Sequence, residues 1–143
     1  MGDNVSVNLL AVLIAAVAAW IAGAIWYGVL GKRWVAALGR TMDDFKREQA
    51  AQSGLSAYWP FVLAFVANLI IAYTLARLML YLDSTTIRSG IISAVLCWLG
   101  FVVTTMSVNN AFGGRKTALT AIDSGYWLLA MIVSGAVIGA FGL

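Results

Sequence analysis

The stretch LLAVLIAAVAAWIAGAIW, residues 9–26, carries no charged side chain and no polar group beyond two indole N–H donors. A chain written this way has nothing to offer water. It has the length a bilayer asks for, since the hydrocarbon core takes about 20 apolar residues of helix. In lipid every backbone N–H and C=O must be satisfied internally, which leaves an α-helix or a closed β-barrel. Barrel strands alternate apolar and polar residues over short segments, so an unbroken run predicts a helix. Three more runs of this kind follow, and four spans are expected near 6–30, 58–82, 89–112 and 121–142. The fold class expected is an all-α membrane protein, a four-helix transmembrane bundle making one domain over 1–143.

Composition agrees and narrows the chemistry. Hydrophobic residues make up 62% of the chain and charged residues 10%, against about 45–50% and about 25% in soluble domains. There is no His, and Cys97 is the one cysteine. No disulfide can form within the chain, and no His or Cys cluster can hold zinc, copper, an iron–sulfur centre or haem. A Ser-His-Asp or Cys-His catalytic system cannot be assembled. No metal site and no cofactor are expected, and an enzyme is the weakest of the functional classes. The net charge of +3 is gathered near span edges and matches no nucleic-acid-binding pattern.

Orientation is read from Lys and Arg in the connections. Lys32, Arg33, Arg40, Lys46 and Arg47 lie in the 31–57 connection, and Arg115 and Lys116 lie in the 113–120 turn. Only Arg77 and Arg88 fall on the other side. Seven against two is expected to put those two connections in the cytoplasm and both termini outside. Trp26, Tyr27, Trp34, Tyr58, Trp59, Phe112, Tyr126 and Trp127 cluster at the same edge, where amphipathic rings sit well. No Lys or Arg precedes Lys32, so the first span reads as a retained helix rather than a cleaved signal. In the 31–57 connection Trp34, Leu38, Met42 and Phe45 recur at helical spacing, which fits a short interfacial helix as well as a polar loop. Tyr58-Trp59 and Tyr126-Trp127 open the second and fourth spans alike, as a duplicated hairpin would, or simply as interface aromatics. Pro60 fits the first turn of the second span.

Small residues mark where helices can approach in lipid, where the hydrophobic drive between helices is weak. In the third span Gly90, Ser93, Cys97, Gly100, Thr104, Ser107 and Ala111 form a stripe spaced alternately three and four apart. That stripe predicts the central packing helix, with a narrow polar path as the other reading. Ala15, Ala19 and Gly23 extend a ridge on the first span that starts at Ala11, and Gly135 and Gly139 have the GxxxG spacing on the fourth.

Few polar residues enter the spans. Asn68 needs a partner, for which a hydroxyl of the third span is the expectation. Asp123 is the one acid in a span and so a default functional residue. Thr120-Ala-Ile-Asp123 also has the capping-box spacing, with Arg115 and Lys116 at hand as ion-pair partners. Asn109 and Asn110 are expected to end the third span with Gly113-Gly114, and Arg77 to reach outward or pair with Asp83. Asn68, Asn109, Asn110, Arg115, Asp123 and Tyr126 are the ligand-binding candidates, with no catalytic residue expected.

GAIWYGVLGKRW at 23–34 and WLGFVVTTMSVNNAFGGRKTALTAIDSGYWLL at 98–129 together resemble the DUF1761 family of small bacterial integral membrane proteins. WYGVLGKRW and IDSGY are the most specific parts of that resemblance; Trp127 stands where the family often has a His. The resemblance implies a membrane location and a shared fold, and it carries no activity. The expected location is the bacterial cytoplasmic (inner) membrane, crossed several times. Two functional expectations result. One is a non-enzymatic accessory subunit or small binding protein, as a homo-oligomer or within a larger membrane complex. The other is a small oligomeric transporter or channel using Asp123 and Asn68 on a solute.

Overall fold

A computed structural model describes residues 6–142. Every regular element among them is helical: α1 (Leu9–Ala37), α2 (Met42–Ala51), α3 (Leu55–Tyr81), α4 (Ile87–Cys97), α5 (Thr104–Phe112) and α6 (Thr117–Phe141). A π-helical stretch at Trp98–Val103 joins α4 to α5 without a break. The four rods α1, α3, Ile87–Phe112 and α6 are long and apolar enough to cross a membrane. The protein is a multi-pass membrane protein built as a helical bundle. The expected domain runs past the described residues at both ends, and the reading of an uncleaved amino terminus falls on residues outside them.

Helix ends differ from the expectation where the sequence is amphipathic rather than apolar. α1 continues past residue 30 to Ala37 because its last two turns still bury Val35 and Ala37. At 29 residues it is about 43 Å long, so it outruns the hydrocarbon core by more than two turns. Gly39, at φ +80°, then closes it: Gly39 N–H donates to Ala36 O and Arg40 N–H to Val35 O, a Schellman stop. The chain folds back into α2, capped by Thr41 Oγ1 accepting from Asp44 N–H at 3.1 Å. Only Met42 and Phe45 of α2 are half-buried, and Phe45 meets Trp34 edge to face at 5.5 Å. The expected interfacial segment is therefore two pieces, with Trp34 belonging to α1, Leu38 capping that helix, and Met42 and Phe45 in α2.

Two further boundaries move. α3 starts at Leu55, so Pro60 sits in its second turn rather than its first. α6 starts at Thr117 behind Lys116, four residues before the expected 121. Thr120 is then inside the helix, and no capping box forms with Asp123. Asn110 and Gly114 shape the turn before it: Arg115 N–H donates to Asn110 O at 2.8 Å, with Gly114 at φ +68°.

The central helix is α6, not the third rod. α6 packs against α1, α3 and α4 and buries nine residues, against three in Ile87–Phe112. The small stripe of the third rod splits in two. Gly90 and Ser93 are buried, Cys97 is half-buried, and Gly100, Thr104 and Ser107 are exposed. From the π-helical stretch onward the stripe has turned away from the bundle, and the Thr104 and Thr105 hydroxyls bond back to the carbonyls of Gly100 and Phe101.

Close packing runs along α6 through glycine. A Cβ on Gly90 would land in the Gly135 carbonyl, and one on Gly135 in the Gly90 carbonyl, so α4 and α6 touch backbone to backbone there. Gly139 meets Thr86 and Ile87 in the same way. Around this line lie Ala15, Ala16, Ala72, Leu75, Ala76, Met79, Ala94 and Ile138, with Ala19 at the edge of a second, aromatic cluster.

Candidate functional site

Tyr27 and Trp34 are seven residues apart on α1 and so share a face. Both aim at α6. Tyr27 Oη donates to Asp123 Oδ1 at 2.7 Å, and Trp34 Nε1 donates to the same oxygen at 3.1 Å. The two rings meet edge to face at 5.7 Å between centroids. Two neighbouring backbone carbonyls of α6 take further indoles: Trp26 Nε1 donates to Ile122 O at 3.0 Å, and Trp98 Nε1 to Ser124 O at 2.7 Å.

Glycine makes the seats for these rings. A Cβ on Gly125 would lie 2.8 Å from Cζ2 of Trp26, and one on Gly23 would lie 2.9 Å from Cε2 of Tyr126. Each helix thus lends an aromatic to the other's glycine. Tyr126 is buried, and its hydroxyl bridges three helices. It accepts from Asn68 Nδ2 at 3.0 Å and donates to Ala19 O at 3.2 Å. The second hydrogen of the Asn68 amide goes to Ala64 O at 2.9 Å, while Asn68 Oδ1 is buried without a donor among the described residues. Ser134 Oγ is likewise buried and unpaired among them.

The candidate residues are thus only partly gathered. Asp123 and Tyr126 lie one turn apart on α6, and Asn68 joins Tyr126 instead of a hydroxyl of the third span. Asn110 Nδ2 donates to Thr120 Oγ1 at 2.9 Å, farther toward the turn. Asn109 and Arg115 are exposed. Asp123 has neither Arg115 nor Lys116 as an ion-pair partner; the ion pairs among the described residues are Arg40–Glu48 and Arg47–Asp44, both on the α2 side. Arg77 donates to Tyr81 Oη at 3.1 Å and lies 5.2 Å above its ring, rather than pairing with Asp83. The Tyr-Trp echo also separates in space, since Tyr126 is buried and Tyr58 is 66% exposed.

Sequence reasoning took Trp26, Tyr27 and Trp34 as interface anchors and did not single out Trp98, Ser124 or Gly125. The signal was present in the seven-residue spacing of Tyr27 and Trp34 and in the glycines beside Trp26 and Tyr126. The two stretches that carry the family resemblance, WYGVLGKRW and IDSGY, turn out to be the two halves of this one junction.

Residues 10–139 match the family described as a protein of unknown function, DUF1761. The chain belongs to the DUF1761 family. No curated protein and no solved structure matches it. For this DUF1761 protein the junction supplies one carboxylate, hydroxyl and amide groups, and a wall of rings. A separate open depression of about 300 Å³, lined by Gly39, Arg40, Asp44, Arg47 and Glu48, lies outside the bundle, at the α1–α2 corner.

Proposed function

We propose that this DUF1761 protein is a non-enzymatic component of the bacterial cytoplasmic membrane, an accessory subunit or small binding protein that works through its outer surface. The observation that carries this reading is how the interior polar groups are used. Tyr27, Trp34 and Asp123 hold α1 to α6, and Asn68, Tyr126 and the Ala19 carbonyl hold α1, α3 and α6 together. Groups committed to joining helices are poor candidates for acid–base work, which needs a side chain free to reach a reacting proton. The third rod meanwhile turns Gly100, Thr104 and Ser107 outward, a face of the small and hydroxyl type through which helices associate in lipid. Assembly as a homo-oligomer or within a larger membrane complex follows from this reading. The excess of Lys and Arg in the 31–57 and 113–120 segments supports a cytoplasmic position for both connections, with the termini outside.

A second reading, a small oligomeric transporter using Asp123 and Asn68, is favoured by one observation. Asn68 Oδ1 is buried without a donor among the described residues, and an unpaired amide oxygen in hydrocarbon is costly unless something else meets it. Native mass spectrometry of the protein, extracted gently from its own membrane, separates the two. A partner protein, a larger complex or a homo-oligomer without bound solute supports the first reading. A homo-oligomer that carries a bound small solute, lost on Asn68→Ala, supports transport and overturns the first reading.

A further inference from the structure

Asp123 has a feature that the junction leaves unused. Both of its protein hydrogen bonds fall on Oδ1, and no described donor reaches Oδ2. The two donors, a phenol and an indole, are neutral. They fix the carboxylate in place and stabilise it by hydrogen bonding, but bring no positive charge to match it. No Lys or Arg among the described residues pairs with it, yet an acid within a membrane span ordinarily has a counter-charge. The residue is only partly buried, as are Tyr27, Trp34 and Trp127, so the group is open to what surrounds the bundle.

The surroundings select the kind of cation. Tyr27 packs on Trp34 at 5.7 Å and on Tyr126 at 5.5 Å, and Tyr126 packs on Trp127 at 4.9 Å. Trp127 stands one turn on from Asp123, on the same side of α6. A carboxylate set among electron-rich rings suits an organic ammonium, which draws on the ring quadrupoles as well as the charge. A divalent metal is poorly served, because such ions take several oxygen ligands and no group of three His, Cys, Asp or Glu side chains gathers among the described residues.

We propose that Asp123 Oδ2, beside Tyr27 and Trp34, binds an ammonium group, carried either by a lipid headgroup or by a soluble amine. The position agrees with either source. Asp123 is the seventh residue of α6, about 9 Å from its start, near the end of the bundle where the basic residues and aromatic rings collect. The site stands on the surroundings of Asp123 alone and holds whether or not a partner protein is found.

The test uses the full chain in a mild detergent. Native mass spectrometry compares retained phosphatidylethanolamine with phosphatidylglycerol, which lacks the amine, at equal added concentration. Choline and tetramethylammonium chloride are titrated in parallel against tryptophan fluorescence, with sodium chloride as the ionic-strength control. The wild type is expected to favour an amine in at least one arm, by roughly tenfold over its control. Asp123→Asn keeps an oxygen for Tyr27 and Trp34 but removes the charge, and is expected to abolish that preference. Selectivity for the amino lipid alone assigns the headgroup; a saturable response to the free salts assigns a soluble amine. Equal retention of both lipids together with no saturable response to either salt overturns the proposal, and this result is read on the wild type without any variant. An Asp123→Asn protein that keeps the wild-type preference also overturns it.

Discussion

Asp123 carries more of the structure than its one-letter context implies. Replacing it with alanine leaves the Tyr27 hydroxyl and the Trp34 indole N–H without their acceptor. A polar group that loses its partner inside a protein costs about 1–3 kcal/mol. Because this site is partly open, Asp123→Ala is expected to destabilise the bundle by about 2 kcal/mol, and Tyr27→Phe by about 1 kcal/mol, in thermal unfolding in detergent. Sequence alone pointed to Asp123 and to a stability role, but for another reason. The Thr120–Asp123 spacing gives a capping box only if the helix starts at 121, and three polar or small positions ahead of it, Thr117, Ala118 and Thr120, left that start undecided. Asn68 shows the same limit. Its depth in the membrane was legible and so was its need for a partner, but which way it faced was not, and it faces Tyr126.

Among elements, glycine spacing proved more informative than the longer stripe of small residues. Gly135 and Gly139 lie on the contact face of α6, and Gly23 seats Tyr126. The stripe on the third rod runs straight only in a regular helix. Six residues of π-helix from Trp98 to Val103 change the residues per turn, so Gly100, Thr104 and Ser107 leave the face shared by Gly90 and Ser93. Nothing in the apolar string WLGFVV announces that change, and so the central helix was misplaced. Substitution should separate a glycine at a backbone contact from one in open space. Gly90→Ala must push apart two backbones in contact, and a loss at or above about 3 kcal/mol is expected, the top of the usual overpacking range. Gly28→Ala in α1 meets nothing within 4 Å and is expected to be neutral or to gain up to about 1 kcal/mol from helix propensity. Parallel thermal melts of the two variants read the contrast directly.

The whole molecule is a set of four rods with α6 at its centre, tied to α1 by aromatic donors at one end and to α4 by bare backbone toward the other. The number and type of spans were legible because lipid imposes length and apolarity on every helix at once. The pairing of spans was not, because apolar side chains in lipid do not say which face meets a neighbour. Orientation can be checked by labelling single cysteines in a Cys97→Ala background with a membrane-impermeant maleimide. A cysteine at Ser84 should label in intact cells, and one at Lys116 only after permeabilisation. WYGVLGKRW and IDSGY form one energetic unit joining α1 to α6. A double-mutant cycle on Tyr27→Phe and Asp123→Ala, read by unfolding in detergent, measures that coupling. The structure predicts a coupling of about 1 kcal/mol, within the range for residues in contact. Effects that simply add, with no coupling beyond about 0.3 kcal/mol, would mean that the two stretches are not one unit.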